Sequence, residues 1–185
     1  MSAKISALGV AGSPRRGGNT ETLVDEVLRG AKDAGAATEK VVIAQSNIGP
    51  CRACNACSRT GICIQNDDMA AIIEKMKVSR IWVLATPVYW WGPTAQMKAF
   101  IDRWYAVPRE VFRRRRIILA ISSGGGETYE ELTVKMLSEI IEYLDMEEYR
   151  VLQVVSADSK TSARNDTTLM KGAYSTGFDA VRTLR

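Results

Sequence analysis

Ile5-Ser6-Ala7-Leu8-Gly9-Val10-Ala11-Gly12-Ser13-Pro14-Arg15-Arg16-Gly17-Gly18-Asn19-Thr20 changes periodicity midway. From Ile5 to Val10 it is a nearly continuous apolar run that stops at Gly12-Ser13. Such a run suits a strand covered on both faces, as parallel sheets require. Beyond Thr20, Leu23, Val24, Val27, Leu28 and Ala31 share one helical face, and Gly35 sits where the helix would stop. The turn between strand and helix gathers small and hydroxylated residues. Their N–H groups can close around an anion at the helix N-terminus, and Arg15 or Arg16 can add a full positive charge. No Gly-Lys-Ser/Thr follows, so this is not a Walker loop, and Gly9 and Gly12 do not fit G-x-G-x-x-G. An ordinary Gly-rich turn is the alternative. The clustering of Ser, Arg, Asn and Thr favours a phosphate.

The same alternation continues along the chain. Ile81–Ala85 and Ile117–Ile121 repeat the buried-strand pattern, while Val41–Ala44 and Val151–Val155 are shorter, as edge strands would be. Asp67-Asp68 offers a cap ahead of Ile72, Ile73 and Met76. Met97, Phe100, Ile101 and Trp104 form a further helical stripe; so do Leu132, Met136, Leu137, Ile140 and Leu144, and Leu169, Ala173, Ala180, Val181 and Leu184. Five strands alternating with five helices predict an α/β, doubly wound, five-stranded parallel sheet in three layers, in the order 2-1-3-4-5. No repeat or linker interrupts residues 1–185, which read as one domain with a Cys-rich insertion loop at 45–66. Ligands of such sheets sit beyond the carboxyl ends of the strands, near the point where strand order reverses.

Two more turns at that edge are unusual. Thr86-Pro87-Val88-Tyr89-Trp90-Trp91-Gly92-Pro93-Thr94 combines two prolines and a glycine with three successive aromatics. The backbone is rigid, and three adjacent rings cannot all enter one core, so at least one is expected at the surface as a stacking platform. Ser122-Ser123-Gly124-Gly125-Gly126 presents backbone N–H groups that can stabilise developing negative charge.

All four cysteines fall within thirteen residues, as Cys51-x2-Cys54-x2-Cys57-x5-Cys63. Two successive x2 gaps let one tight loop offer three thiolates to three corners of a cube, and the fourth closes it, the logic of a [4Fe–4S] cluster. Zinc ligands more often come as two separated pairs. Thiols without a metal are the remaining reading. The chain has no histidine, which removes Ser-His-Asp and Cys-His catalysis and imidazole-bound zinc, so a cofactor is expected to carry the chemistry.

G-S-P-R-x-G-G-N-T after the first strand resembles the phosphate loop of the flavodoxin-like NAD(P)H-dependent FMN reductases. P-V-Y-W-x-x-x-T-A-Q-M-K-A-F-I-D-R is similar to their isoalloxazine-lining segment, although Pro93 departs from the usual residues there. The resemblance implies that Ser13, Arg15, Asn19 and Thr20 contact the FMN phosphate. It implies too that Pro87, Tyr89, Trp90 and Gly92 line the ring and that Ser123, Gly124 and Gly125 meet the flavin. The cysteine spacing resembles the iron-sulfur flavoprotein branch of the same group, which implies Cys51, Cys54, Cys57 and Cys63 as cluster ligands. The match covers roughly residues 5 to 127. The function it implies is electron transfer between NAD(P)H or a ferredoxin-type donor, FMN, the cluster and an acceptor, in a homodimer or homotetramer, with no catalytic side chain. A cluster-free FMN or quinone reductase, a flavodoxin-like electron carrier and a zinc-bearing interaction module are the rivals.

The net charge of +4 is too small and dispersed to argue for nucleic acid. No apolar run approaches the roughly 20 residues that span a bilayer, and Met1-Ser2-Ala3-Lys4 lacks a signal-peptide layout, so a cytoplasmic protein is expected. Arg113-Arg114-Arg115-Arg116 reads as a solvated loop or as a docking patch for a dinucleotide phosphate or an acidic partner.

Overall fold

The computed structural model describes residues 5–184, so the reading of Met1–Lys4 lies outside the described residues. The chain runs β1 (Ser6–Ala11), α1 (Asn19–Asp33), β2 (Ala37–Val42), α2 (Ala56–Thr60), α3 (Met69–Val78), β3 (Ile81–Tyr89), β4 (Gly92–Pro93) and α4 (Ala95–Asp102). It continues through β5 (Arg116–Ser122), α5 (Glu131–Tyr143), β6 (Glu147–Val154), α6 (Ser162–Asn165) and α7 (Thr167–Arg182). The parallel sheet has the order β2-β1-β3-β5-β6, which is the expected order in chain sequence. β4 adds a sixth, two-residue strand, antiparallel to the tip of β3 through Val88–Pro93 and Tyr89–Gly92.

Strand alternation sends side chains to two separate cores. Leu8, Val10, Trp82, Leu84, Ile117 and Leu119 meet α3, α4 and α5 on one face. Ala7, Ala11, Val83, Ala85, Ile118 and Ala120 meet α1 and α7 on the other. The first core is centred on Trp82, whose ring lies 6.1 Å from Trp104 and 5.9 Å, edge-on, from Phe112. The small residues on the second face let its helices come close.

Two edge strands differ from the sequence expectation. β2 starts at Ala37 and ends at Val42, after which Ile43–Gln45 turns as a 3-10 helix. β6 starts at Glu147 and ends before Val155. Both openings are polar and largely exposed. They are strands because their backbones pair with β1 and β5, and such pairing leaves no apolar pattern. Among the described residues, no helix is long and apolar enough to cross a membrane.

α1 packs chiefly on α7, and glycines set their separation. A Cβ on Gly177 would lie 1.9 Å from the Val27 carbonyl oxygen, and one on Gly30 would lie 2.0 Å from that of Tyr174. Backbone meets backbone there.

The arginine run lies at the amino end of β5, opposite the ligand edge, so its reading as a docking patch at a nucleotide site fails. Arg113 faces Asp145 at 3.7 Å, and Arg114 donates its N–H to the Asp145 carbonyl. Arg115 holds the carbonyls of Val111 and Lys77. Arg116 is buried, grips Glu147, Thr183 and the Ala180 carbonyl, and lies 4.5 Å over the Tyr149 ring. Only Arg113 and Arg114 fit the solvated-loop reading.

Candidate functional site

A cavity of about 350 Å³ opens beyond the carboxyl ends of β1, β3 and β5. The β1–α1 turn contributes Ser13, Arg15, Gly18, Asn19 and Thr20; the end of β3 contributes Pro87, Val88 and Tyr89; the end of β5 contributes Ser122, Ser123 and Gly124. Ala157, Asp158 and Lys160 come from the loop after β6, which the sequence reading did not single out. The only available signal was topological, since that loop leaves the same sheet edge.

Buried hydroxyls fix the turn. The Gly12 N–H donates to the Ala85 carbonyl at 2.7 Å, and Thr94 Oγ1 donates to the Gly12 carbonyl at 2.6 Å. Thr94 accepts from the Met97 N–H at 3.1 Å, capping α4, and its own N–H donates to Thr86 Oγ1. One threonine therefore ties the first turn to the third. Ser13 Oγ accepts the Arg15 N–H at 3.1 Å, and the Gly17 N–H donates to Glu21 at 2.7 Å.

The N-terminus of α1 carries no side-chain cap, because Gly18 stands at the cap position. Gly18, Asn19 and Thr20 at that start line the cavity beside Arg15 and Lys160, and Thr20 Oγ1 is buried without a hydrogen-bond partner. An uncapped helix start, two cations and an orphaned hydroxyl are what a phosphate monoester would satisfy. Asn19 behaves otherwise. Its Nδ2 donates to the Ser159 carbonyl at 2.8 Å, and its Oδ1 accepts the Ala163 N–H at 3.1 Å, so its side chain braces the β6–α6 loop.

Eight of the eleven flavin residues implied by the resemblance line this cavity: Ser13, Arg15, Asn19, Thr20, Pro87, Tyr89, Ser123 and Gly124. Trp90, Gly92 and Gly125 do not. Trp90 is 91 % exposed at the hairpin tip, and Gly92 pairs with Tyr89. Gly125 packs so near Tyr129 that a Cβ would lie 2.4 Å from its ring. Trp91 stacks on Tyr129 at 6.1 Å. Trp90 and Trp91 have φ of 52° and 60°, a left-handed pair that hairpins normally assign to Asn and Gly. Trp90→Asn is therefore expected to raise stability by about 1 kcal/mol in urea unfolding. An unchanged or lower value would show that the turn is not strained.

The cysteines line a second cavity of about 370 Å³, which shares no residue with the first. All four thiols are free; Cys51 and Cys54 are exposed, Cys57 and Cys63 half-buried. Left-handed backbone at Ala53, Asn55 and Gly61 turns the loop around the short α2, which carries Cys57. The loop closes on a hydrogen-bonded stem. The Asn47 N–H donates to Asp68 Oδ2 at 2.6 Å, the Gly49 N–H donates to Asp67 Oδ2 at 3.1 Å, and Gln65 donates to the Pro50 carbonyl. Arg103 locks this stem, donating to both Asp67 oxygens (2.5 and 3.1 Å) and to the Gly49 carbonyl (3.0 Å). Their side chains are 2 % and 8 % exposed. Burial works against the Asp67 carboxylate, but Arg103 and the Gly49 and Met69 N–H groups outweigh it and hold its pKa below the ordinary range. Arg103 also faces Cys63, placing a positive charge beside the thiols. Among the described residues no three His, Cys, Asp or Glu side chains converge closely enough to hold a metal ion. Four soft thiol donors around one cavity beside a cation nonetheless suit an anionic iron-sulfur group.

Sheet order and cavity position define a flavodoxin-like α/β protein with its cavity at the switch point. Residues 5–161 match the sequence model of the NADPH-dependent FMN reductase family, and the chain belongs to that family. It is similar to an iron-sulfur flavoprotein of Methanosarcina thermophila, 35% identical over 133 residues, covering 71% of this chain and 70% of that one. A similar protein of the same description from Archaeoglobus fulgidus is 40% identical over 99 residues, covering 54% and 45%. The matches thus span from 45% to 70% of these relatives' lengths. The fold is shared with an NAD(P)H:quinone oxidoreductase from Methanothermobacter marburgensis, with a TM-score of 0.74, 14% identity, and coverage of 99% of this chain and 100% of that one.

Proposed function

We propose that the chain is an FMN-dependent oxidoreductase of the iron-sulfur flavoprotein kind, drawing electrons from NAD(P)H or a ferredoxin-type donor for delivery to an acceptor. The observation that carries this reading is the pairing of a phosphate-shaped turn with four thiols around one neighbouring-loop cavity. Relatives described as iron-sulfur flavoproteins support it.

Arg15, Lys160, the α1 N–H groups and the Thr20 hydroxyl would hold the FMN phosphate, with Ser13 shaping the turn and Asn19 bracing it. Pro87 and Tyr89 would flank the ring, and Ser123 and Gly124 would meet its polar edge. Trp90, Gly92 and Gly125 would act from outside the cavity, Gly92 and Gly125 by shaping its loops. FMN supplies two-electron chemistry that can be divided into single-electron steps, while a [4Fe–4S] cluster on Cys51, Cys54, Cys57 and Cys63 supplies one-electron exchange. Arg103 would offset the negative charge of that cluster. Reduced thiols suit a cytoplasmic setting. The loop is an insertion in a single flavodoxin-like domain, and exposed Trp90 and Tyr105 offer contact area for a homodimer or homotetramer.

The test is the visible spectrum of anaerobically purified protein, with FMN, iron and sulfide counted per chain. A flavin spectrum with about four irons per chain is expected. A yellow protein without iron would make it a cluster-free FMN or quinone reductase. Protein that stays colourless in excess FMN would overturn the reading altogether.

A further inference from the structure

The cysteine loop and the phosphate turn leave one buried titratable group behind the cavity wall unused. Glu130, at the start of α5, is 0 % exposed. Its Oε2 accepts from Gln153 Nε2 on β6 at 2.9 Å, while its Oε1 is buried with no hydrogen-bond partner. From the end of β5 it is faced by Ser123, a residue of the cavity wall, and from the turn before α5 by the Glu127 carboxylate. An ionised group here would keep one oxygen dry and unpaired while facing a second negative charge. Burial pushes the Glu130 pKa up; the Gln153 amide opposes this without cancelling it, and Glu127 adds to it. The orphaned oxygen is satisfied if it carries a proton, because a carboxylic acid donates where a carboxylate cannot.

We propose that Glu130 is a positioning residue of the flavin site, a buried acid that passes a proton through the Ser123 hydroxyl into the cavity when negative charge arrives there. The proposal rests on FMN occupying that cavity. A hydride from NAD(P)H brings two electrons and one proton, and the fully protonated reduced ring needs one proton more. With FMN bound there, the Glu130 O–H bond would break as a Ser123 Oγ–H bond formed, and the proton Ser123 had held would pass to the cavity's occupant. Glu130 is left as carboxylate, and reoxidation returns the proton. Ser123 Oγ donates to the Gly125 carbonyl at 3.2 Å, a long bond that the hydroxyl can leave by rotation.

Two measurements test this, using Glu130→Gln and Ser123→Ala. In the FMN-loaded protein, reduced anaerobically across a pH series, the wild-type flavin should stay protonated to higher pH, by about one unit, than in either variant. The absorption of the reduced ring distinguishes its neutral and anionic forms. In the FMN-free protein, stability against urea is followed over the same range. The folded chain holds the Glu130 proton beyond the ordinary glutamate range near about pH 4.3, so wild-type stability should fall as pH rises through and above that value. Glu130→Gln should remove that fall, whereas Ser123→Ala should keep it. Identical reduced spectra in all three proteins, or a wild-type stability profile that Glu130→Gln leaves unchanged, would overturn the proposal. If FMN fails to bind the wild type at any pH, the assignment of the cavity falls and the relay falls with it. If Glu130→Gln does not fold, the reduced spectrum of Ser123→Ala decides alone.

Discussion

Asp67→Ala should lower stability by about 3 kcal/mol and, if the loop holds the proposed cluster, cost the protein its iron while leaving FMN bound. The carboxylate is the hub of the stem, accepting from the Gly49 and Met69 N–H groups and from Arg103. Its removal strands a guanidinium that is 2 % exposed, with the Gly49 carbonyl and the neighbouring Cys63 thiol in place of a carboxylate. Breaking a buried pair by deleting one member costs far more than the pair contributes net, because the survivor stays charged and dry. For a chain of this size the loss corresponds to roughly 6–12 °C in thermal midpoint. Asp67→Asn keeps an acceptor for the N–H groups and should fall between. The pH dependence gives a second check. Because the folded-state pKa of Asp67 is depressed, its contribution is present above the unfolded value of about 3.9 and is lost as pH falls through the folded one. The gap between wild type and variant should therefore close in acid. An unchanged urea midpoint at neutral pH would show that the stem does not depend on this pair.

Gly177→Ala should cost about 3 kcal/mol with no group of chemical interest touched. The new methyl would meet the Val27 carbonyl oxygen at 1.9 Å and the Ala31 nitrogen at 3.1 Å, all backbone, which no rotamer change relieves. α7 would have to lift off α1, and α1 begins at the phosphate turn, so FMN affinity should fall as well. Gly172→Ala supplies the control in the same helix. Nothing lies within 4 Å of its added Cβ, so better helix propensity should raise stability by about 0.5–1 kcal/mol. Thermal unfolding of the pair should move in opposite directions. A shared sign would show that α7 does not rest on α1 as described.

Apolar runs made β1, β3 and β5 legible, because strands covered on both faces have no choice of residue type. Right-handed crossover then fixes their order. The starts of β2 and β6 were hidden because edge pairing uses backbone alone. The β1–α1 turn stood out by its clustered residue types, and eight of the eleven implied flavin residues share one cavity. The role of Asn19 was not readable, since its partners lie 140 and 144 residues away. Neither the Asp67–Arg103 clamp nor the Thr94 tie has a local pattern, and a glutamate opening a helix looks like any solvated one. Trp90 shows the limit of composition: an aromatic beside the cavity in sequence points away from it in space.

α7 lies on α1, and the Asn19 amide is held by Ser159 and Ala163. During synthesis the first βα unit therefore leaves the ribosome without the surface that completes it. Its glycine-lined helix and unbraced turn stay open until α7 follows. Cofactor capture by a nascent chain is thus deferred until α7 has emerged, and chains truncated before α7 should be unable to hold the turn in shape.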